Sequence, residues 1–358
     1  MTSLSDGTPP LDRAPQPRPG VGVEPESGGQ DGPAEGGAAS ATIGLSIDGV
    51  PVAEYRAGAE LPAEHSPRPY LHPVRSVAGV ELTEVAPADH PHHYGVSMAV
   101  ADVDGTSHWG GRTFVSGTGS TMLDNHGRQE RDDLVPRPDG GGFDETLTWY
   151  DTAGAPQLTE TRSIRARPVP GLAAWALTWT SVLTAPVATE VHIGSPATNG
   201  RAGAGYGGIF WRLPNRPGTE VLSVAGAGEA LAHGSDSPWL ALNQSDGGAE
   251  VGLLLSQPAE VARPWFVRAG EYAGAGPMLA AESVLTIEAG ASVTTSLFAV
   301  VVDRAVRDDA DAEGILAAAG LFGGAVADAG PADHGASDVG SGGVGSPISG
   351  STGSGARS

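Results

Sequence analysis

Asp89-His90-Pro91-His92-His93-Tyr94-Gly95, with His108-Trp109-Gly110-Gly111-Arg112 soon after, holds the densest group of reactive side chains in the sequence. His65, His72, His90, His92, His93, His108 and His126 fall in one early segment, and only His192, His233 and His334 lie outside it. Imidazole titrates near neutrality and is a ready metal ligand, so two chemistries are open. The first is metal binding. On an extended backbone His90 and His92 would share a face and His93 would oppose them. Asp89 and Pro91 favour a loop instead, in which His90, His92 and His93 could converge on a divalent metal such as Zn, Cu, Fe or Ni. His72, His108 or an acid would then complete the ligand set, although the spacing fits no helical His-Glu-x-x-His pattern. The second chemistry is proton transfer by His90, His92, His93 or His108, with Asp89 orienting a ring. Glu130, Asp132, Asp133, Glu145 and Glu160 lie on or near expected strands, and most should face solvent.

Binding residues can be proposed around this group. Trp109 beside two glycines and Arg112 offers a stacking surface for a sugar or cofactor ring, with Arg112 to anchor an anion or hydroxyl. An ordinary core Trp followed by a glycine bend would read the same way. His72, Tyr70 and Tyr94 are candidates to join it. Gly203-Ala204-Gly205-Tyr206-Gly207-Gly208 matches G-x-G-x-x-G in form, but strand-like Ile209-Phe210-Trp211-Arg212-Leu213-Pro214 follows where a dinucleotide site needs a helix. The stretch is better read as a rim loop with Asn199 and Arg212 near it. Arg263-Pro264-Trp265-Phe266-Val267-Arg268 and then Glu271-Tyr272 form another polar–aromatic cluster, from which Trp265 is a candidate contact.

The elements that must position these residues are strands. Thr42 to Ile47 alternates, Asp48-Gly49 is a hairpin turn, and Val50 to Arg56 returns. Pro69 to Val74 is extended but bounded by proline, which predicts an edge strand or a lining loop. Val80 to Val85 alternates. Tyr94 to Val103 puts Val96, Met98 and Val100 on one face. Phe143 to Tyr150, Gln157 to Arg167 and Ala173 to Leu183 follow, with turns at Asp139-Gly140-Gly141, Ala153-Gly154 and Pro168 to Gly171. In the second of these strands Leu158, Glu160, Arg162 and Ile164 oppose Thr159, Thr161, Ser163 and Arg165. Val187 to Ile193, Ile209 to Leu213, Glu220 to Val224, Leu240 to Asn243, Val251 to Leu255, Ser283 to Ile287 and Thr294 to Val302 complete the series. This spacing predicts one all-β domain over 41–305, a large antiparallel sandwich or a barrel. A single short helix is expected at Ala310 to Leu321, within 306–322, led by Asp308, Asp309 and Asp311. Residues 1–40 and 323–358 are rich in Gly, Pro, Ser and acid or Ala, and are expected to be disordered tails.

Composition excludes several function classes. The 358 residues carry a formal net charge of −22, which opposes nucleic acid and anionic membrane as partners. A small molecule is the expected partner. With no Cys there are no thiolate sites, and with no Lys there is no Schiff-base or P-loop lysine chemistry. No apolar run reaches the roughly 20 residues that span a bilayer. The N-terminus lacks the basic and apolar regions of a secretory signal, so a cytoplasmic address is expected.

Tyr70-Leu71-His72-Pro73, Asp89-His90-Pro91-His92-His93-Tyr94-Gly95, Val103-Asp104-Gly105 with Trp109, Tyr206-Gly207-Gly208 with Arg212, and Pro264-Trp265-Phe266 together resemble the bacterial PmoA family, over about residues 40–305. The family's name implies a metal-dependent methane oxygenase subunit, an integral membrane protein, whereas this sequence carries no membrane span. The neighbourhood of such genes, among sugar-type oxidoreductases and sugar transporters, implies carbohydrate metabolism instead. The strand pattern is also compatible with a galactose-mutarotase-like supersandwich, whose sites use His and acids. Three functions follow as expectations: a carbohydrate-active enzyme using the histidines in acid–base or metal-assisted chemistry on a sugar or keto-sugar, a metal-dependent oxidoreductase, and a non-catalytic sugar-binding module.

Overall fold

A computed structural model describes residues 42–138 and 140–321. The expected tails, and Asp139 of one expected turn, lie outside the described residues. Within them, nearly all regular structure is antiparallel β, arranged as two large sheets packed face to face.

The first sheet has the order Ile43–Ile47, Val50–Arg56, Tyr70–Val74, Val96–Ala99, Gly208–Arg212, Gly274–Pro277, Trp265–Arg268. The second runs Gly226–Ala227, Glu220–Ser223, Trp239–Asp246, Ala249–Ser256, Ser292–Val302, Ala174–Thr184, Pro156–Pro168, Gly142–Tyr150, Arg128–Pro136. Neither closes on itself, so of the sandwich and barrel alternatives the chain adopts the sandwich. Its core is built by period-two alternation. Val96, Met98, Ile209, Trp211, Trp265 and Val267 of the first sheet meet Phe143, Trp149, Ile164, Trp175, Trp179, Leu253 and Leu297 of the second. The same alternation sends Ser97, Ala99, Phe210, Arg212, Phe266 and Arg268 to the outer face of the first sheet, where the histidine loop lies.

Local chemistry explains the first hairpin: Asp48 and Gly49 both adopt positive φ, 49° and 82°, as a two-residue turn of this hand requires. Three expectations need correction. Tyr70–Val74 is an interior strand, paired with Val50–Arg56 and Val96–Ala99. A register irregularity leaves His72 and Pro73 out of the ladder, so the missing proline N–H costs no hydrogen bond there. Val80 to Val85 forms isolated bridges, Arg75 to Glu81 and Val85 to Tyr94, instead of a strand. Trp265–Arg268 and Gly274–Pro277 are strands that the aromatic and glycine content concealed, and charge concealed Arg128–Pro136.

The helix at the C-terminal end spans Asp309–Ala318. The Asp308 carboxylate caps it by accepting from the Asp311 N–H, and Gly320 at φ 62° ends it. Ala312, Ile315 and Leu316 pack on Trp239, Phe298 and Val300, covering the outer face of the second sheet. A one-turn helix at Glu229–Ala232 was not anticipated. No helix among the described residues is long and apolar enough to cross a membrane.

Candidate functional site

The outer face of the first sheet carries a cavity of about 390 Å³. His65, His90, His92 and His93 line it with Trp109, Tyr206, Phe266 and Tyr272, Arg112, Arg201 and Arg268, and Glu64, Asp89 and Glu271. Phe210 of the sheet packs with the lining residues Trp109, Phe266 and Tyr272, and with Ala99, in a separate apolar cluster.

The histidine loop is an excursion between Glu84 and Gly95. Its neck is tied by the Val85–Tyr94 bridge and by the Ala86 N–H donating to the His93 carbonyl at 2.8 Å. Two turns follow inside it, with the His90 N–H donating to the Pro87 carbonyl and the His93 N–H to the His90 carbonyl, each at 3.0 Å. This folding brings the three rings together. His90 stacks on His93 at 4.7 Å between centroids, and His92 meets His93 edge-on at 4.7 Å. Glycine makes room beside them. A Cβ on Gly111, whose φ is +70°, would lie 2.6 Å from His92 Nδ1, and one on Gly110 would lie 2.5 Å from the His65 carbonyl oxygen.

The rings have different electrical surroundings. Burial, with Arg68 and His90 nearby, pushes His92 down to about 3. Burial and the adjacent His92 hold His93 well below its usual value. Its ring sits edge-on among Trp109, Phe210 and Tyr272, and its buried Nδ1 has no hydrogen-bond partner. His65 is lowered by burial, and its Nδ1 is 2.7 Å from the Tyr94 hydroxyl. These three are therefore neutral rings at pH 7. His90 is hydrogen-bonded to a carboxylate, with Nδ1 2.8 Å from Asp89 Oδ2, whereas His65 Nε2 lies 3.9 Å from Glu64 Oε1. Burial raises Asp89, but the hydrogen bond from His90, backbone donation and Arg212 outweigh it, and the carboxyl stays below its ordinary range. An ionised Asp89 can only accept, so His90 Nδ1 donates to it, and in the neutral form of the ring Nε2 carries the lone pair. Behind the dyad, Arg212 donates to Glu84 from Nε and Nη2 at 3.2 and 2.8 Å, lies 3.8 Å from Asp89, and sits over the Tyr272 ring.

The remaining sequence candidates separate into two groups. Trp109 and Arg112 line the cavity, and Trp109 also packs, buried, in the apolar cluster with Phe210. His72, Tyr94, His108, Arg212 and Trp265 do not. His108 is fully buried on the inner side, with Nε2 3.0 Å from Gln157 Oε1 and its ring on Trp149; burial holds it down to about 4. His72 bonds Thr83 beside Glu81. Trp265 points into the core and donates to the Ser237 carbonyl, because strand alternation gives the cavity its neighbours Phe266 and Arg268. Tyr94 and Arg212 act from beneath, on His65 and Asp89. Sequence reasoning missed His65, Arg201, Tyr206, Phe266, Arg268 and Tyr272 as lining residues. The period-two pattern in Trp265–Arg268 was the available signal for two of them.

His90, His92 and His93 were also candidate ligands of a divalent metal. The rings meet by faces and edges, and among the described residues no three His, Asp or Glu side chains gather their donor atoms as a metal ion requires. The arrangement suits proton transfer: an oriented base beside neutral hydrogen-bonding rings, within aromatic walls.

No curated protein matches the chain. A domain family of unknown function, DUF6807, matches residues 42–317, a span that includes every strand of both sheets and most of the C-terminal helix. The chain thus belongs to the family of unknown function DUF6807.

Proposed function

We propose that the cavity binds a sugar or keto-sugar and transfers a proton on it, with His90 as general base and Asp89 as its orienting partner. The observation that carries this reading is the Asp89–His90 pair at 2.8 Å inside a cavity walled by Trp109, Tyr206, Phe266 and Tyr272. Aromatic faces suit the apolar C–H faces of a sugar ring, and an oriented imidazole suits acid–base work at neutral pH. His90 Nε2 takes a proton from the carbon next to a carbonyl. The C–H electron pair moves onto the carbonyl oxygen, and neutral His92 and His93 offer donors near that charge. Protonation of the opposite face from solvent, with the His90 proton released to solvent, gives an epimer, and delivery of the His90 proton to a β-hydroxyl that leaves as water gives elimination. An isomerase or lyase therefore fits better than a hydrolase.

The resemblance to the so-called methane oxygenase PmoA family suggests metal-dependent oxidation, but the face-to-edge packing of the three rings favours proton transfer. The sandwich with its site on an outer sheet face is also in keeping with a mutarotase-like sugar protein, an analogy of fold alone. A chromatographic screen of keto-sugars and sugar acids tests the proposal. Turnover should fall by about 10²- to 10⁴-fold in His90→Gln while thermal stability is retained. Full activity in that variant on a substrate that wild type converts would contradict the assignment.

A further inference from the structure

Two of the three arginines that line the cavity, Arg112 and Arg201, lack what most others in the molecule have; the third, Arg268, lies 3.5 Å from Glu229. Acids outnumber basic residues 42 to 20, so a guanidinium readily finds a carboxylate. Arg56, Arg75, Arg128, Arg137, Arg162, Arg165, Arg216, Arg304 and Arg307 each have one within 4.0 Å. Among the described residues, Arg68, Arg112, Arg167, Arg201 and Arg263 have none, and of these Arg112 and Arg201 line the cavity. Arg112 donates only to the Ser120 carbonyl, at 3.1 Å, and Arg201 lies against the Tyr206 hydroxyl.

Another of these arginines, Arg68, lies behind the cavity wall. Arg68 is 2% exposed and has no counter-ion; it donates to the carbonyls of His65, Ser66 and His92 and to Ser97 Oγ. Two of those carbonyls belong to lining residues. Burial lowers Arg68 to about 10, which still leaves it charged at neutral pH. A desolvated cation without a partner is costly, and its field is little screened. The acids at the cavity do not cancel it. Glu64 and Glu271 are exposed to solvent, Glu64 with two-thirds of its side chain accessible, and Asp89 is already engaged by His90 and Arg212.

We infer that the ligand of this cavity is anionic, a sugar bearing a carboxylate or phosphate group that Arg112 and Arg201 grip while Arg68 supplies a buried positive field. The inference rests on the sugar reading above and adds the charge of the ligand. Planar guanidinium forks match both kinds of oxyanion. A positive field near the carbonyl would also stabilise the enolate that His90 generates.

Calorimetric titration of the full chain tests it, with glucuronate, gluconate and glucose 6-phosphate set against glucose and fructose, and with acetate and inorganic phosphate as non-sugar anions. At least one acidic sugar should bind about tenfold or more tighter than the neutral sugars. The Arg112→Gln/Arg201→Gln variant, altered only at exposed side chains, should lose that preference. Comparing glucuronate with glucose 6-phosphate separates carboxylate from phosphate. Neutral sugars binding as tightly as acidic ones would overturn the anion inference and leave the sugar reading standing. Acetate or phosphate binding as tightly as any acidic sugar would uphold the anion site and overturn the sugar reading. Acidic sugars bound equally well by the double variant would overturn the role of the two arginines, and no binding by any member would overturn both ideas.

Discussion

At the scale of single residues, the account turns on which histidine is free to carry a proton. His92, His93 and His108 are held neutral chiefly by burial, and His90 is held by Asp89. Asp89→Asn should therefore keep the fold but lower turnover, by about tenfold or more, because the amide no longer fixes the ring's tautomer. Steady-state kinetics with circular dichroism as the folding control would check this. The buried rings give a stability signature of definite sign. Their folded-state pKa values lie below the ordinary 6.5, so the unfolded chain binds more protons between that value and the folded ones. Stability should be complete above about pH 6.5 and should decline as pH falls toward 4. Thermal melts across that range should show a shallower decline for His108→Gln than for wild type. Gly111→Ala tests the packing of His92, since the new Cβ meets the ring at 2.6 Å at a strained positive φ. It should weaken ligand binding, read by calorimetry. The clustering of histidines was legible in the sequence, but which of them share a cavity was not. His108 and His65 look alike as letters; a strand-to-loop path sends one inward to Gln157 and the other to the rim beside Tyr94.

At the scale of elements, alternation was the legible signal, and partners decided where it failed. Leu158, Glu160, Arg162 and Ile164 face inward along Pro156–Pro168, as their spacing predicts. The charged pair among them is buried. Arg162 donates to Glu160 from Nε and Nη2, both at 2.8 Å, and also engages Glu145 and the Tyr55 hydroxyl. Trp149 and Ser181 donate to Glu160 as well, at 2.9 and 2.6 Å. Burial raises Glu145 despite Arg162 and the donors around it. Removing one partner strands the others in the core, so Arg162→Leu should cost about 3–5 kcal/mol in urea unfolding. Glu160→Leu/Arg162→Leu should recover part of that loss. Sequence could place Glu160 and Arg162 on one face, but it could not show that Glu145 and Tyr55, far along the chain, meet them there. Val80 to Val85 illustrates the opposite failure. It alternates like a strand, yet its N–H groups are used singly, Leu82 to Val74 and Glu84 to Arg212, and no neighbour runs alongside.

At the scale of the whole molecule, the sandwich has two outer faces with different coverings. The helix Asp309–Ala318 shields the second sheet, and the histidine loop with its aromatic cluster shields the first. Asn243 fixes the approach to the helix by exchanging two hydrogen bonds with the Val306 backbone, each at 2.8 Å. Ile315→Asp should therefore expose the face formed by Trp239, Phe298 and Val300, lowering the melting temperature by several degrees or more and increasing hydrophobic dye binding. The all-β sandwich followed from many short strands and few helix signals. The side of the sandwich that carries the site did not, because it depends on which strands become neighbours in each sheet. The most direct test of the central claim follows one proton. Wild-type protein incubated in D₂O with acidic keto-sugars should exchange the hydrogen beside the carbonyl, seen as loss of its proton NMR signal, and His90→Gln should abolish that exchange. Equal exchange in the two proteins, or none with any keto-sugar that wild type binds, would contradict the account.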